Sequence, residues 1–436
     1  MSTRTDKRES PADQATSASD PKRPKLSSLA TQTPPTPQPN QTIWWNETTA
    51  LPPPPATSLP AVDVIIPAHN CESTITDALS STYYQSYPGS ITIMAYNDCS
   101  TDETSSKINS FLSSHPNTSV RKTKLIDPTT PAPGGAGFAR NSAAREGSSP
   151  ILVMLDSDDV MMKTRVENQV SVLTQMEESK AKKTIVGCNF YREPENSTQH
   201  YTTWANTLTP ERIYLEQFRE LTLLQPTWCM FRSRFEELNG YTTKSLSLPT
   251  ETEAELKLAE DLRFWHAHLN SPPSFLVTTP TKEPLLMYRH LEGMSQSSRT
   301  SPKLLMQLRL KSFETRILSK KWKNGFVVWG AGRDGKNFVK AIDPEHRKNI
   351  RLMVDVDHKK INAKFYFNRD LNVKIPIAHF SALQKKKSSV DSDKNENDYE
   401  NLPVVVCVAM YRTDGKLEEN VATIERTEGD DLWHFF

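Results

Sequence analysis

The sequence predicts an α/β protein built from two successive Rossmann-like units behind a disordered head. Three observations predict it. The apolar run Ile151-Leu152-Val153-Met154-Leu155 reads as a buried parallel strand and leads straight into Asp156-Ser157-Asp158-Asp159. Upstream, strand–helix–strand alternation starts at Val62-Asp63-Val64-Ile65-Ile66-Pro67 and continues through Ile91–Tyr96. Downstream, Phe326-Val327-Val328-Trp329 precedes Gly330-Ala331-Gly332-Arg333-Asp334-Gly335, the order of a strand, a glycine turn and a helix. A chain of 436 residues has room for two domains and tails.

Residues 1–60 are rich in Pro, Thr, Ser and Gln and close on Pro52–Pro55. They hold too little apolar surface to offset their ordering entropy, so a disordered tail is expected. Pro21-Lys22-Arg23-Pro24-Lys25 reads as a solvated charge run rather than a nuclear address. The first unit, 61–318, opens with the strand at 62–67 and the loop Ala68-His69-Asn70. A helix then runs from Ser73, as N-cap, through Leu79. The second strand ends in Asn97-Asp98-Cys99, with Ser100 or Thr101 as cap of the next helix and Glu103 at its positive end. After the central strand come a helix near 163–177, a strand at 184–190 and a polar loop near 193–207. Glu260 and Asp261 open an amphipathic helix carrying Leu262, Phe264, Trp265 and Leu269. The second unit, 322–436, continues with a strand to Val354 that ends at Asp355-Val356-Asp357, a polar insertion at 384–402 and a strand at Val404–Val408. The boundary falls near 316–323.

Composition excludes several classes. Lys+Arg 53 against Asp+Glu 52 gives +1, so no global field recruits a polyanion, and nucleic acid would need a local patch. The five cysteines are scattered without a CxxC pair, which points to a reducing compartment and against disulfides or zinc. The first residues lack an apolar signal region, and no apolar run reaches a membrane span. A cytoplasmic location without a membrane partner is expected, with the nucleus also open.

The chemistry gathers at strand ends. Asp156 and Asp158 are spaced i, i+2, so an extended backbone aims both to one side. Their ionised forms repel, and a divalent cation carrying phosphates relieves that conflict. A solvated acidic turn is the plain alternative. Asp98, at the end of the second strand, offers an acceptor that suits the N3–H of uracil. Arg140, at a helix start after Gly134-Gly135, has the fork to clamp a diphosphate or ribose. Glu260 and Asp261 either complement the helix dipole or supply a base. His290, after Leu285–Met287, is placed to return to a metal, whereas His69 reads as a loop residue near the nucleotide. His266 and His268 read as structural, and Trp228 as either an acceptor-pocket wall or core.

These pieces, VIIPAHN (64–70), YNDCSTDET (96–104), GFARN (137–141), DSDD (156–159), ED (260–261) and YRH (288–290), together resemble the family 2 inverting glycosyltransferases of GT-A fold. One departure is Cys99, where that family usually has Gly. The resemblance implies a UDP-sugar donor lined by Pro67, His69, Asn70, Asp98, Arg140, Asn141, Asp156 and Ser157. It implies Mn²⁺ or Mg²⁺ on Asp156, Asp158 and His290, and Asp261 as general base beside Glu260.

The second unit fits a dinucleotide fingerprint, with Asp355 where a ribose-binding acid belongs. An inverting transfer has no redox step, so an architectural or acceptor-binding role is favoured there. WGAGRDGKNF (329–338), VDVDHKKI (354–361), KIPIAHF (374–380) and LWHFF (432–436), joined to the first unit, resemble the eukaryotic queuosine-tRNA galactosyltransferases. That family was earlier named for β-1,3-N-acetylglucosaminyl transfer. The likeness implies transfer of galactose from UDP-galactose to queuosine in the anticodon of cytosolic tRNA-Tyr. Lys336, Lys340, Arg347, Lys348, Arg351, Lys359, Lys360, Lys364 and Lys385–Lys387 make this unit locally basic, as salt-sensitive RNA contact requires. A UDP-GlcNAc-dependent enzyme of glycans or proteins and a non-catalytic nucleotide- or NAD-binding adaptor are the alternatives.

Overall fold

The computed structural model describes residues 44–45, 49–53, 58–128, 130–242, 252–291, 300–385, 399–408, 413 and 415–436. Its first sheet has seven strands: β1 (Val62–Ala68), β2 (Ile91–Asn97), β3 (Arg121–Ile126), β4 (Ile151–Met154), β6 (Thr184–Gly187), β8 (Cys229–Phe231) and β9 (Phe275–Thr278). They lie in the order β3-β2-β1-β4-β8-β6-β9. β3, β2, β1 and β4 are mutually parallel, and β8 runs against β4 and β6. A small sheet of β5 (Val160–Met161), β7 (Phe190–Glu193) and β10 (Leu286–Arg289) sits beside it.

The alternation of a strand explains the layers. Val62, Val64 and Ile66 of β1 share one core with Ile75 and Leu79 of helix α1 (Ile75–Tyr83) and Ile108 of α2 (Thr104–Ser114). Ile65 faces the other way, toward Ala139 and Ala143 of α3 (Ala136–Arg145) and Trp228 and Phe264. Both faces are therefore covered, and only the strand ends remain for ligands. Trp228 is fully buried and donates its indole N–H to the Leu223 carbonyl at 2.9 Å, so it belongs to the core and not to an acceptor pocket.

Several local expectations shift. α1 is preceded by Thr74, not Ser73, and the first-turn N–H of α2 at Thr104 is taken by Asp102, not by Ser100 or Thr101. The expected strand at 184–190 divides into β6 and β7. The stretch read as a polar loop contains a helix, Gln199–Thr207, with none of its residues fully buried. Part of the expected tail is anchored: the Trp44 indole donates to the Met161 carbonyl at 2.8 Å, and Trp45 packs on Val160 and Met287. Residues 1–43 of that tail, and most of the 384–402 insertion, lie outside the described residues.

The second sheet comprises β11 (Phe326–Trp329), β12 (Ile350–Asp355), β13 (Phe365–Asn368), β14 (Val373–His379), β15 (Val404–Val406) and β16 (Leu432–His434). Its order is β13-β14-β12-β11-β15-β16, all parallel except edge strand β13. The Pro302–Phe313 helix serves both cores. Leu305 and Leu308 pack on the first, Leu310 and Phe313 on the second. Trp433 of β16 packs against Phe218 and Tyr214, and Arg212 pairs with Glu428. The terminal aromatic motif is thus the joint between the two sheets.

Candidate active site

The exits of β1, β2 and β4 lie together. The Asn70 side-chain oxygen accepts from the Thr101 N–H at 2.8 Å, and the His69 ring lies 2.7 Å from the Asp98 carbonyl. Cys99 takes the left-handed conformation, φ +57°, so the turn keeps a glycine-like backbone despite the departure in sequence. Pro67 is half-buried at the end of β1, and Ser157 is half-buried at the exit of β4.

Asp98 is 2% exposed, and its two oxygens accept the N–H groups of Gly134 and Gly135 at 2.9 and 2.8 Å. The carboxylate read as a uracil acceptor therefore fastens the glycine loop from which α3 departs. Asn141 is likewise engaged: both ends of its amide hold the backbone of Tyr241, at 2.7 and 2.8 Å. Arg140, 4% exposed, spans two acids, with one amino group 2.5 Å from Asp156 and the other 2.8 Å from Glu260. Tyr241 lies under the guanidinium, 5.4 Å from it. The arginine read as a diphosphate clamp thus ties the acidic turn to the start of the Glu260–Asn270 helix.

Asp156, Asp158 and Asp159 bring one carboxylate oxygen each within 4.8 Å of one another. Asp159 is the member that sequence reading left unassigned. One of its oxygens accepts the Arg289 N–H at 3.0 Å, while the other is buried without a partner. Burial, then the neighbouring carboxylates, push Asp159 well above the usual carboxylate range and raise Asp158 to about 6. A partly buried, self-repelling oxygen cluster with one orphaned carboxylate oxygen fits a hard divalent cation. His290, expected as a further ligand, is not in this group; its backbone N–H donates to the Glu193 carbonyl at 2.7 Å.

Asp261 is partly exposed, next to Glu260, and burial together with the Glu260 charge raises it to about 7. Its Oδ1 accepts the Leu262 N–H at 2.7 Å. Tyr201, from the unforeseen Gln199–Thr207 helix, feels the Asp261 charge and stacks toward Trp204, 5.7 Å away. Arg192 covers the Tyr288 ring at 3.9 Å, and that phenol in turn feels the aspartate cluster. Tyr288 belongs to the 288–290 motif read in the sequence, whereas Tyr201, Trp204 and Arg192 were not singled out there. His266 and His268 are buried, held largely neutral by desolvation, and structural as expected.

An α/β protein with an acidic crevice at its strand ends is what this geometry defines. Residues 63–238, spanning β1 to β8 of the first sheet, match the family model described as Glycosyl transferase family 2. The fold is accordingly mixed α/β and GT-A-like. A UDP-Glc:alpha-D-GlcNAc-diphosphoundecaprenol beta-1,3-glucosyltransferase of Escherichia coli is 32% identical over 112 residues, 26% of this chain and 40% of the relative. A poly(ribitol-phosphate) beta-N-acetylglucosaminyltransferase, TarS, of Staphylococcus aureus is 26% identical over 160 residues, 35% of this chain and 27% of the relative. The chain thus spans less than half the length of these curated relatives. Among solved structures, S. aureus TarS 1-349 in complex with UDP-GlcNAc aligns with a TM-score of 0.46 and 16% identity, over 66% of this chain and 84% of that one. No helix among the described residues is long and apolar enough to cross a membrane.

Proposed function

We propose that the chain is an inverting glycosyltransferase that moves galactose from UDP-galactose onto queuosine in tRNA. The observation that carries the transferase reading is the Arg140 bridge, because it fixes the acidic cluster and the Glu260-Asp261 pair in one site. Asp156, Asp158 and Asp159 are the residues that would hold Mn²⁺ or Mg²⁺. A cation held there would supply positive charge to offset the negative charge growing on the departing UDP. Asp261, raised to about 7, takes the proton from the acceptor hydroxyl as the oxygen attacks the anomeric carbon. The new C–O bond forms as the bond to UDP breaks on the opposite face, so the anomeric configuration inverts. Arg140 acts as a positioning residue between the two groups.

An RNA acceptor is supported by the edge strand of the second sheet. Phe365 and Phe367 of β13 project from it, 45% and 58% exposed, against the usual preference for burial. Lys374 covers the Phe365 ring at 4.4 Å, and Lys364 and Arg369 flank the strand, both exposed. Exposed aromatics between cations suit unstacked bases and their phosphates. Not all the expected lysines and arginines serve such a patch. Arg347 donates to the carbonyls of Val339 and Ile342, and Lys360 pairs with Asp355.

A second reading, a β-N-acetylglucosaminyltransferase of a polymer, is favoured by the name of the S. aureus relative. Incubation of the chain with each UDP-sugar and queuosine-containing tRNA, followed by nucleoside mass spectrometry, separates the two. A hexose increment on queuosine with UDP-galactose is expected. No increment on the nucleoside, with transfer from UDP-GlcNAc to a glycan, would overturn the tRNA reading.

A further inference from the structure

The second sheet repeats, at its own strand ends, the place where the first sheet puts its acids. β12 lies on one side of β11 and β15 on the other, so the sheet changes its direction of growth there. Ligands of open α/β sheets bind in the crevice beyond such a switch point. Here that crevice is a cavity of about 770 Å³, lined by Gly332, by the cations Arg333, Lys360 and Lys416, and by the acids Asp334, Asp355 and Asp357. Its size is that of a small-molecule site, roughly 300–1,000 Å³.

Three glycines form the turn, and they are not there for the same reason. Gly330 has φ +119°, and a Cβ on it would stand 2.8 Å from the Cys407 carbonyl oxygen. A Cβ on Gly335 would stand 1.7 Å from the Gly330 carbonyl oxygen. The chain itself requires both. Gly332 has φ −83° and ψ −160°, which any residue adopts, and its Cβ would meet only the flexible end of Lys360 at 3.5 Å. Nothing in the protein demands a glycine there, and its bare Cα lines the cavity. It is also the N-cap of the nine-residue Arg333–Ala341 helix, with no side-chain cap on the first-turn N–H groups.

We propose that this cavity binds a nucleotide through its diphosphate, as a ligand site separate from the acidic site of the first sheet. An uncapped helix start and the lining cation Lys416 favour phosphate oxygens, Arg333 and Lys360 balance Asp334 and Asp355 of the same lining, and the missing side chain of Gly332 leaves room for close approach. Asp355 narrows the choice. One of its oxygens accepts the Ala331 N–H and Lys360, and the other accepts the N–H groups of Val356 and Asp357. A carboxylate so occupied is committed to ordering the turn before any ribose arrives, so the diphosphate is the anchor. NAD-type dinucleotides and nucleoside diphosphates share that chemistry.

Isothermal titration of NAD⁺, ADP and UDP into the full chain carrying Asp156→Asn and Asp158→Asn tests the site with the first one silenced. One saturable site per chain is expected for at least one probe. NAD⁺ binding without ADP binding identifies a dinucleotide site, and equal binding of both identifies a nucleoside diphosphate site. Gly332→Asp supplies a better N-cap, so the melting temperature holds or rises, while the added charge beside the diphosphate lowers affinity about tenfold or more. Absence of binding by all three probes, or unchanged affinity in a folded Gly332→Asp variant, overturns the proposal.

Discussion

The two sheets place the same crevice at the same topological position and fill it with opposite chemistry. Beyond β4 of the first sheet stand three aspartates, one with a buried oxygen lacking any partner. Beyond β11 of the second stands a glycine turn beside Asp355, an acid fully engaged by backbone N–H groups and Lys360. One edge is electrostatically incomplete without a cation, and the other is already balanced and open to an anion. Topology therefore sets where a ligand goes, and the side chains at the strand ends decide which one.

The contrast breaks most completely if the aspartates are neutralised. In the Asp156→Asn, Asp158→Asn variant, metal-dependent UDP binding and sugar transfer are expected to fall below detection, read by titration with Mn²⁺ and by product formation. A smaller effect is expected at the bridge. Arg140→Met leaves Asp156 and Glu260 without their shared cation in a buried setting, at a cost of about 3–5 kcal/mol in denaturant unfolding. The smallest expected effect concerns pH. Asp158 is raised to about 6 in the fold from 3.8, so ionising it disfavours the native state. Metal-free stability should therefore decline as pH rises from about 4 through about 6. The stabilisation by Mn²⁺ should accordingly be larger at pH 7.5 than at pH 5, because protons compete for the same oxygens. Thermal melts at the two pH values check this, and equal shifts would separate the cation from these carboxylates.

Much of this was legible along the chain because it is local. Apolar runs that end in acids or glycines give β1, β4 and β11 and their exits directly. The Glu260-Asp261 helix start was equally visible. What escaped depends on partners distant in sequence. Arg140 and Asn141 were read as nucleotide ligands, yet their side chains meet Glu260 and Tyr241, at least 100 residues away. The Gln199–Thr207 helix was missed because it buries no residue fully and its short stripe, Tyr201, Trp204 and Ala205, is set among polar and β-branched residues. Trp44 and Trp45 sit in a stretch whose composition signals disorder, and only their contacts with β5 and β10 reveal the anchor. Asp159 was in view, but its burial was not.

The most direct measurement is the transfer rate of Asp261→Asn compared with its affinity for UDP in the presence of Mn²⁺. With the aspartate cluster intact and the base removed, UDP affinity should stay at the wild-type level while turnover falls about 10²–10⁴-fold. Turnover near wild type in that variant would contradict the assignment of proton removal to Asp261 and the single-site account built on it.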